Sequence, residues 1–384
     1  MNRRILCTLL SVLLLCGCQA GSASHTDSTA FASSAPTVTD CTTTPTEPPP
    51  SPLELLADSL STEELVGQIF LVRFPGPSES KSALDTYHPA GFVLFGKDFK
   101  YETPHTIAAT LSSLQASTSI PLLMATDEEG GTVNRVSIHS QYRSNRFYSP
   151  RYLFSQGGLP LIIQTEEEKC QLLRNIGINV NMAPVCDITT APSAFMYNRS
   201  LGQSPQTTAE FVSSVVATMA EFKVGSVLKH FPGYGNNTDT HTDIAIDHRP
   251  LSQLEQEDLI PFSAGINAGC NAILVSHTTV SALDDTMPAS LSPAVIGYLR
   301  STMGFDGVIV TDDLVMDAIT DAYGTAEAAV LAVLAGNDLL CSSEFEAQYQ
   351  AVLEAVQAGR ITRDRLKESV VRILQWKQDI GLME

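Results

Sequence analysis

The sequence predicts an α/β protein built on a single (β/α)8, TIM-like barrel preceded by a signal peptide and a disordered linker. Three observations predict this. Short apolar runs recur from Pro52 onward, the stretches between most of them carry apolar residues at helical spacing, and chemically capable side chains collect just after the runs. Strands apolar on both faces and separated by helices make a parallel sheet covered on both sides. Eight such units fit a closed barrel better than an open sheet.

The N-terminal residues stand apart from that pattern. Arg3 and Arg4 precede the apolar run Ile5 to Leu15, which is too short to span a bilayer stably but suits a signal-peptide core. The run ends Leu15-Cys16-Gly17-Cys18, which resembles a lipobox, and cleavage there would leave Cys18 as a lipidated N-terminus. Residues 1–18 are therefore expected to be a lipoprotein signal peptide; a plain secretory signal is the alternative. Residues 19–52 are dominated by Ser, Thr, Ala and Pro, too polar to offset the entropy of ordering, and read as a tether. Residues 53–384 are expected to form the barrel. The expected location is the extracytoplasmic side of a cell membrane, held by the lipid anchor, with the body a monomer.

Composition narrows the class. A 43% hydrophobic content supports a large core, and 42 acidic against 23 basic residues give a formal charge of -19. Such a charge repels a nucleic-acid backbone and sets that partner aside. Past the leader and tether remain Cys170, Cys186, Cys270 and Cys341, with no C-x-x-C among them, so buried free thiols are expected.

Along the body, Ser61-Thr62-Glu63-Glu64 signals a first helix with a capping box. The strands are then Ile69–Phe74, Gly91–Phe95, Leu122–Thr126, Asn179–Val185, Val224–Leu228, Ala272–Val275, Val308–Val310 and Asp338–Cys341. Helical stripes run through Phe211, Val212, Val215, Val216 and Met219, through Ala326 to Leu334, and through Leu366, Val370, Ile373 and Leu374. Asp127 follows the third strand, Asp187 the fourth, Lys229 and His230 the fifth, His277 the sixth, and Asp312 with Asp313 the seventh. In a barrel these strand ends share one face, where the active site is built.

The densest stretch is Lys229 to Asp243, K-H-F-P-G-Y-G-N-N-T-D-T-H-T-D. Pro232, Gly233 and Gly235 end the strand and let the backbone approach a ligand closely. Asp239 lies two residues before His241, so a carboxylate can orient and polarise an imidazole that titrates near neutral pH. Asp312 ends a buried strand, a rigid mounting for a nucleophile, while Asp313 is expected to cap a helix over Leu314 to Ile319. Asp127, in D-E-E-G-G, suits bidentate bonding to sugar hydroxyls, with Arg135 and Arg199 as further donors.

These motifs together resemble glycoside hydrolase family 3. The likeness rests on K-H-F-P-G-x-G at Lys229, D-x-E-G-G at Asp127, the run from Gly177 to Val185, and T-D-D-L at Asp312. It is closest to the single-domain β-N-acetylglucosaminidase branch and covers Leu53 to Glu384. The resemblance implies retaining hydrolysis of a terminal β-linked N-acetylglucosamine from cell-wall or related amino sugars through a covalent glycosyl-enzyme. It implies Asp312 as nucleophile and His241, oriented by Asp239, as acid/base, where such enzymes usually pair two carboxyls about 5–5.5 Å apart. It implies that Asp127, Arg135, Arg199, Lys229 and His230 hold the terminal sugar, with no cofactor and no metal. Tyr234 replaces the family's usual His, the spacer from Gly235 to Asp239 is one residue short of the commonest form, Thr240 replaces Ser, and Thr132 replaces a frequent Arg.

Three rival readings remain at this level. A metal hydrolase would use the ligand-rich Asp239 to Asp243 segment, although no His-x-His follows the first strand. A non-catalytic sugar-binding lipoprotein would fit the export signals. A phosphorylase of the same fold, acting on β-N-acetylglucosaminides or β-glucosides, would exploit a histidine acid/base that does not repel phosphate.

Overall fold

The computed structural model describes residues 49–189, 191–235 and 245–384. The leader with Cys18, nearly all of the tether, and the Asp239–His241 pair lie outside the described residues.

Ten strands follow one another among the described residues. They are β1 (Phe70–Arg73), β2 (Gly91–Leu94), β3 (Leu123–Thr126), β4 (Val180–Asn181), β5 (Gly225–Phe231), β6 (Ile246–Asp247), β7 (Ala272–Val275), β8 (Thr279–Val280), β9 (Val308–Thr311) and β10 (Leu340–Ser342). Eight of them form one parallel sheet in the order β10-β1-β2-β3-β4-β5-β7-β9. The ring closes through a parallel bridge between Val310 and Leu339, reinforced by Thr311 N–H donating to Leu339 O at 3.0 Å. Strands β6 and β8 pair separately beside the rim.

All eight barrel strands fall on the apolar runs named from the sequence, because each must bury both faces: one in the barrel, the other under helices. β2, β3, β7 and β9 are buried along their whole length. The helix stripes are buried as expected: Phe211, Val212, Val215, Val216 and Met219 on Pro205–Glu221, and Leu366, Val370, Ile373 and Leu374 on Arg363–Asp379. Each such aliphatic side chain removed from water contributes about 1.5–3 kcal/mol. The four body cysteines are free and buried.

Three local expectations are corrected. A helix, Pro52–Ser59, precedes the one expected at Ser61; Ser51 caps it, and Glu54 accepts from the Ser51 N–H at 2.5 Å. The proline run that reads as tether thus ends in a helix start, since proline is favoured at a first helical position. β5 does not stop at Leu228 but continues to Phe231, with its register against β7 shifting between those residues. Lys229 and His230 are therefore on the strand, and both line the cavity at its rim. Finally, Leu314–Met316 is a turn and the helix begins at Asp317, so Asp313 caps no helix over Leu314 to Ile319.

At the opposite, N-terminal end of the barrel, the wholly buried Asp338 gathers Arg372 at 3.1 Å, Arg365 at 3.8 Å and Arg300. That end is a structural staple; the strands' other ends carry the open chemistry.

Candidate active site

The C-terminal ends of the strands surround a cavity of about 810 Å³, and Asp127, Arg135, Arg199, Lys229, His230 and Asp312 all line it. Six side chains named from the sequence are thus brought to one cup. Arg73, Lys97 and Tyr234 line it too. Asp187 and His277, expected at the same face, act from behind it.

On the β3–β5 side the charges interlock. Lys229 Nζ lies 2.6 Å from Asp127 Oδ1 and 2.7 Å from Glu129 Oε1. Arg199 grips Glu129 with two bonds, Nε at 3.0 Å and Nη2 at 2.7 Å, the fork geometry that makes such pairs strong. Arg199 Nη2 also lies 3.1 Å from His230 Nε2. A guanidinium only donates, so Nε2 accepts and the ring proton sits on Nδ1, 2.8 Å from Asp187 Oδ2. Asp187 further accepts the backbone N–H of His230 at 3.1 Å and of Tyr234 at 2.8 Å. Burial opposes charge on Glu129, but Lys229 and Arg199 outweigh it and hold the carboxyl well below the usual range. Burial likewise opposes charge on Lys229, and Asp127 and Glu129 outweigh it, raising the ammonium's pKa.

The D-E-E-G-G turn divides its acids by task. Asp127 faces the cup, Glu129 holds the cations, and Glu128 turns inward. Glu128 accepts the N–H groups of Arg135 at 2.8 Å, Val136 at 2.7 Å and Ser137 at 3.2 Å, and the Ser137 hydroxyl. The reach to residue 137 requires the chain to double back at Gly130 and Gly131, with φ of 101° and 69°. Arg135 emerges from this loop with its guanidinium 5.4 Å from the Phe95 ring and its buried Nε without a hydrogen-bond partner among the described residues.

Gly233 and Gly235 serve a different purpose from the one their sequence suggests. A Cβ on Gly233 would lie 2.5 Å from Asp258 Oδ1, and one on Gly235 would lie 2.7 Å from Arg249 Nη2. The close approach is to the protein's own Arg249–Asp258 pair, 2.6 Å apart, which seats the strand exit. Tyr234 packs edge-on against His230 at 5.3 Å and Phe195 at 5.7 Å, so an aromatic ring occupies the place of the usual imidazole.

The β7–β9–β10 side is built around Asp312 and Asp313. Asp312 Oδ1 accepts from the Asp313 N–H at 2.9 Å. The Asp313 carbonyl is 3.0 Å from His277 Nε2, which must therefore carry the proton; Nδ1 is 2.7 Å from Ser290 Oγ. The Asp313 carboxylate reaches across to β10, accepting from the Ser343 N–H at 3.2 Å and the Ser343 hydroxyl, and from Val315 N–H at 3.3 Å. Burial pushes its pKa up. Asp313 is a brace between strand exits.

The residues that sequence reasoning did not name for the site are Glu129, Arg73 and Lys97, while Asp187 was placed at this face without a role. Glu129 was visible as the third acid of a run, but its partners Lys229 and Arg199 are distant in sequence. Among the described residues, no cluster of His, Cys, Asp and Glu fits a metal ion.

A parallel eight-stranded barrel with a charged, walled cup at its C-terminal rim belongs to the barrel enzymes, where strand ends carry the chemistry. The model of the glycosyl hydrolase family 3 N-terminal domain matches residues 61–376, and the chain belongs to that family. It is 29% identical over 330 residues to the β-hexosaminidase LpqI of Mycobacterium tuberculosis, covering 83% of each chain. A β-hexosaminidase of Xanthomonas campestris is 33% identical over 276 residues, 71% of this chain and 81% of that one. Among solved structures, a family 3 β-N-acetylglucosaminidase from a Paenibacillus species superposes with a TM-score of 0.79 at 32% identity, covering 84% of this chain and 63% of that chain. The M. tuberculosis LpqI structure gives a TM-score of 0.78 at 28% identity, covering 85% and 96%.

Proposed function

We propose that the protein is an exo-acting, retaining β-N-acetylglucosaminidase that releases terminal β-linked N-acetylglucosamine from cell-wall fragments or related amino sugars. The observation that carries this reading is the convergence of Asp127, Arg135, Arg199, Lys229 and His230 on a cup whose edge holds Asp312. The named activities of the relatives support it.

The cup's β3–β5 side takes the sugar. Asp127 accepts from hydroxyls, while Arg135, Arg199 and Lys229 donate to ring-substituent oxygens, and His230 is held by Asp187 in the tautomer that presents Nε2 to Arg199. Asp312 then attacks the anomeric carbon; the C1–O bond to the leaving group breaks as His241, oriented by Asp239, gives its proton to the departing oxygen. A glycosyl ester on Asp312 results. In the second half His241 takes a proton from water, whose oxygen displaces the carboxylate at C1 and restores the β configuration.

The test is direct. The protein should release nitrophenol from its N-acetyl-β-glucosaminide, and His241→Ala should retain activity on this good leaving group, with azide restoring rate and yielding the β-glycosyl azide. An α-azide product contradicts retention, and failure to turn over any β-glycoside in folded protein favours a sugar binder.

The same proposal includes export and anchoring. Residues 1–18 direct secretion, Cys18 takes the lipid, residues 19–52 act as the tether, and residues 53–384 work as a monomer outside the cytoplasmic membrane. Cys18→Ser should move the protein from the membrane fraction to the medium.

A further inference from the structure

The segment assigned the proton donor has two described flanks, and one side chain meets both. Gly235 is the last described residue before Asp239 and His241, and Ala245 is the first after them. From Ala245 the chain enters β6, whose Asp247 is buried. Arg249, two residues on, turns back onto that carboxylate. Nη2 lies 2.7 Å and Nε 3.0 Å from Asp247 Oδ2, and the Arg249 backbone N–H donates to Oδ1 at 2.9 Å. Its other arm, Nη1, is 2.6 Å from Oδ2 of Asp258, the residue before the helix Leu259–Asn267. The same guanidinium lies against the entering flank, where a Cβ on Gly235 would be 2.7 Å from Nη2 and 2.8 Å from Cζ. Entry to the segment and exit from it thus rest on a single planar cation.

Stability alone does not account for this arrangement. Two buried carboxylates share one cation, Asp258 Oδ1 has no hydrogen-bond partner among the described residues, and burial pushes the Asp258 carboxyl up to about 6. A buried acid left half-satisfied costs free energy that an apolar contact of the same shape would not. The backbone is shaped to the cluster as well. Gly233 and Gly235 take φ of 119° and 57°, and a Cβ on Gly233 would lie 2.5 Å from that same Oδ1. What the cluster fixes is direction: a fork that binds two carboxylates on different elements admits one orientation, whereas an ammonium would admit many. We infer that Arg249 is a positioning residue for the proton donor, setting where the chain departs and returns around His241, an inference that rests on the proposed role of that histidine. Arg249 lies outside the lining of the cup, so it acts on the reaction only through the chain it holds.

Leaving-group dependence separates proton donation from folding. kcat/KM reports formation of the glycosyl-enzyme, where a poor leaving group needs the proton and a good one does not. Arg249→Gln should lower kcat/KM about 100-fold on the phenyl N-acetyl-β-glucosaminide and less than about fivefold on the dinitrophenyl glycoside, with azide restoring kcat on the latter. Arg249→Lys returns a cation without the fork and should recover only part of the loss on the phenyl glycoside. Equal losses on both glycosides with no response to azide would reduce Arg249 to a structural role, and no loss on either would overturn the assignment as well. If Arg249→Gln does not fold, Arg249→Gln with Asp258→Asn, which removes one buried charge along with the cation, is judged by the same readings. His241→Ala measured alongside keeps the two assignments apart. Leaving-group dependence in His241→Ala but not in Arg249→Gln overturns the positioning role alone. Its absence in His241→Ala removes the histidine from proton transfer, and the positioning role with it.

Discussion

The two sides of the cup hold their carboxylates through different partners. On the β3–β5 side, Asp127, Glu129 and Asp187 are held by Lys229, Arg199 and His230 in a chain of charged bonds between 2.6 and 3.1 Å. On the β7–β10 side, the Asp313 N–H donates to Asp312, Ser343 and Val315 donate to the Asp313 carboxylate, and the His277 ring holds the Asp313 carbonyl. The difference matches what each side is asked to do. A ligand-holding surface gains from near-balanced charge, because a neutral sugar then competes for hydrogen bonds without unmasking a bare ion. An attacking carboxylate needs a fixed direction, and the Asp313 N–H supplies one at 2.9 Å.

The largest expected effect tests whether the second side carries the chemistry. Asp312→Asn should cut turnover of the nitrophenyl N-acetyl-β-glucosaminide by ~10⁴-fold while the melting temperature stays close to wild type. Activity within tenfold of wild type would remove Asp312 from the reaction and erase the contrast. Next comes Lys229→Met, which leaves Asp127 and Glu129 without their shared cation. Breaking a buried pair in this way costs about 3–5 kcal/mol, so denaturant melts should show a loss of that order alongside reduced sugar affinity. A fully stable variant would mean the charges on that side are independent of one another.

His277→Ala sharpens the comparison at the β7–β10 side. Freeing the Asp313 carbonyl lets the N–H that orients Asp312 drift, and kcat should fall about 30-fold with KM nearly unchanged. His277→Gln, which restores a donor, should recover part of the loss. A change in KM alone would assign His277 to substrate binding instead.

The smallest effect concerns a buried cation without a carboxylate. Lys377 is fully buried, and its Nζ has the Gln68 Oε1 at 2.9 Å. Burial pulls its pKa down from 10.5 to about 7, the reverse of Lys229. The unfolded chain binds this proton more readily between pH 7 and 10, so the residue's penalty is full below pH 7 and relaxes as pH rises. Its contribution to the slope approaches about 1.4 kcal/mol per pH unit in that window. Lys377→Met should flatten the slope, as read from urea midpoints at pH 7 and 9; an unchanged slope would mean another group sets it.

Much of this architecture was legible in the chain because barrel strands are short, apolar on both faces and regularly spaced. Val308–Val310 and Ala272–Val275 needed no partner to be recognised. Residues whose meaning is purely relational were not legible. Nothing near Glu129 in sequence distinguishes it from Glu128, yet one holds two cations and the other pins a loop. Asp313 looked like a cap because the apolar residues after it have helical spacing, but Ser343, thirty positions on, competes for its carboxylate. Gly233 and Gly235 looked like room for a ligand, and the room is filled by Asp258 and Arg249. The Asp239–His241 pair was readable from its spacing alone and remains a proposal for kinetics to judge.

Strand β7 has a consequence beyond its own residues. Just past its end, His277 secures the turn of Asp312, and two positions later the Thr279 N–H donates to the Ala245 carbonyl at 2.9 Å. Ala245 follows His241 by four positions in the chain and is the first described residue after the segment that carries it. Under the proposed assignment, proton donor and nucleophile share one foundation. A shift of that strand exit would move both reacting partners together, whereas adding or deleting a residue between His241 and Ala245 would retune the donor's range and leave the attacking group where it is.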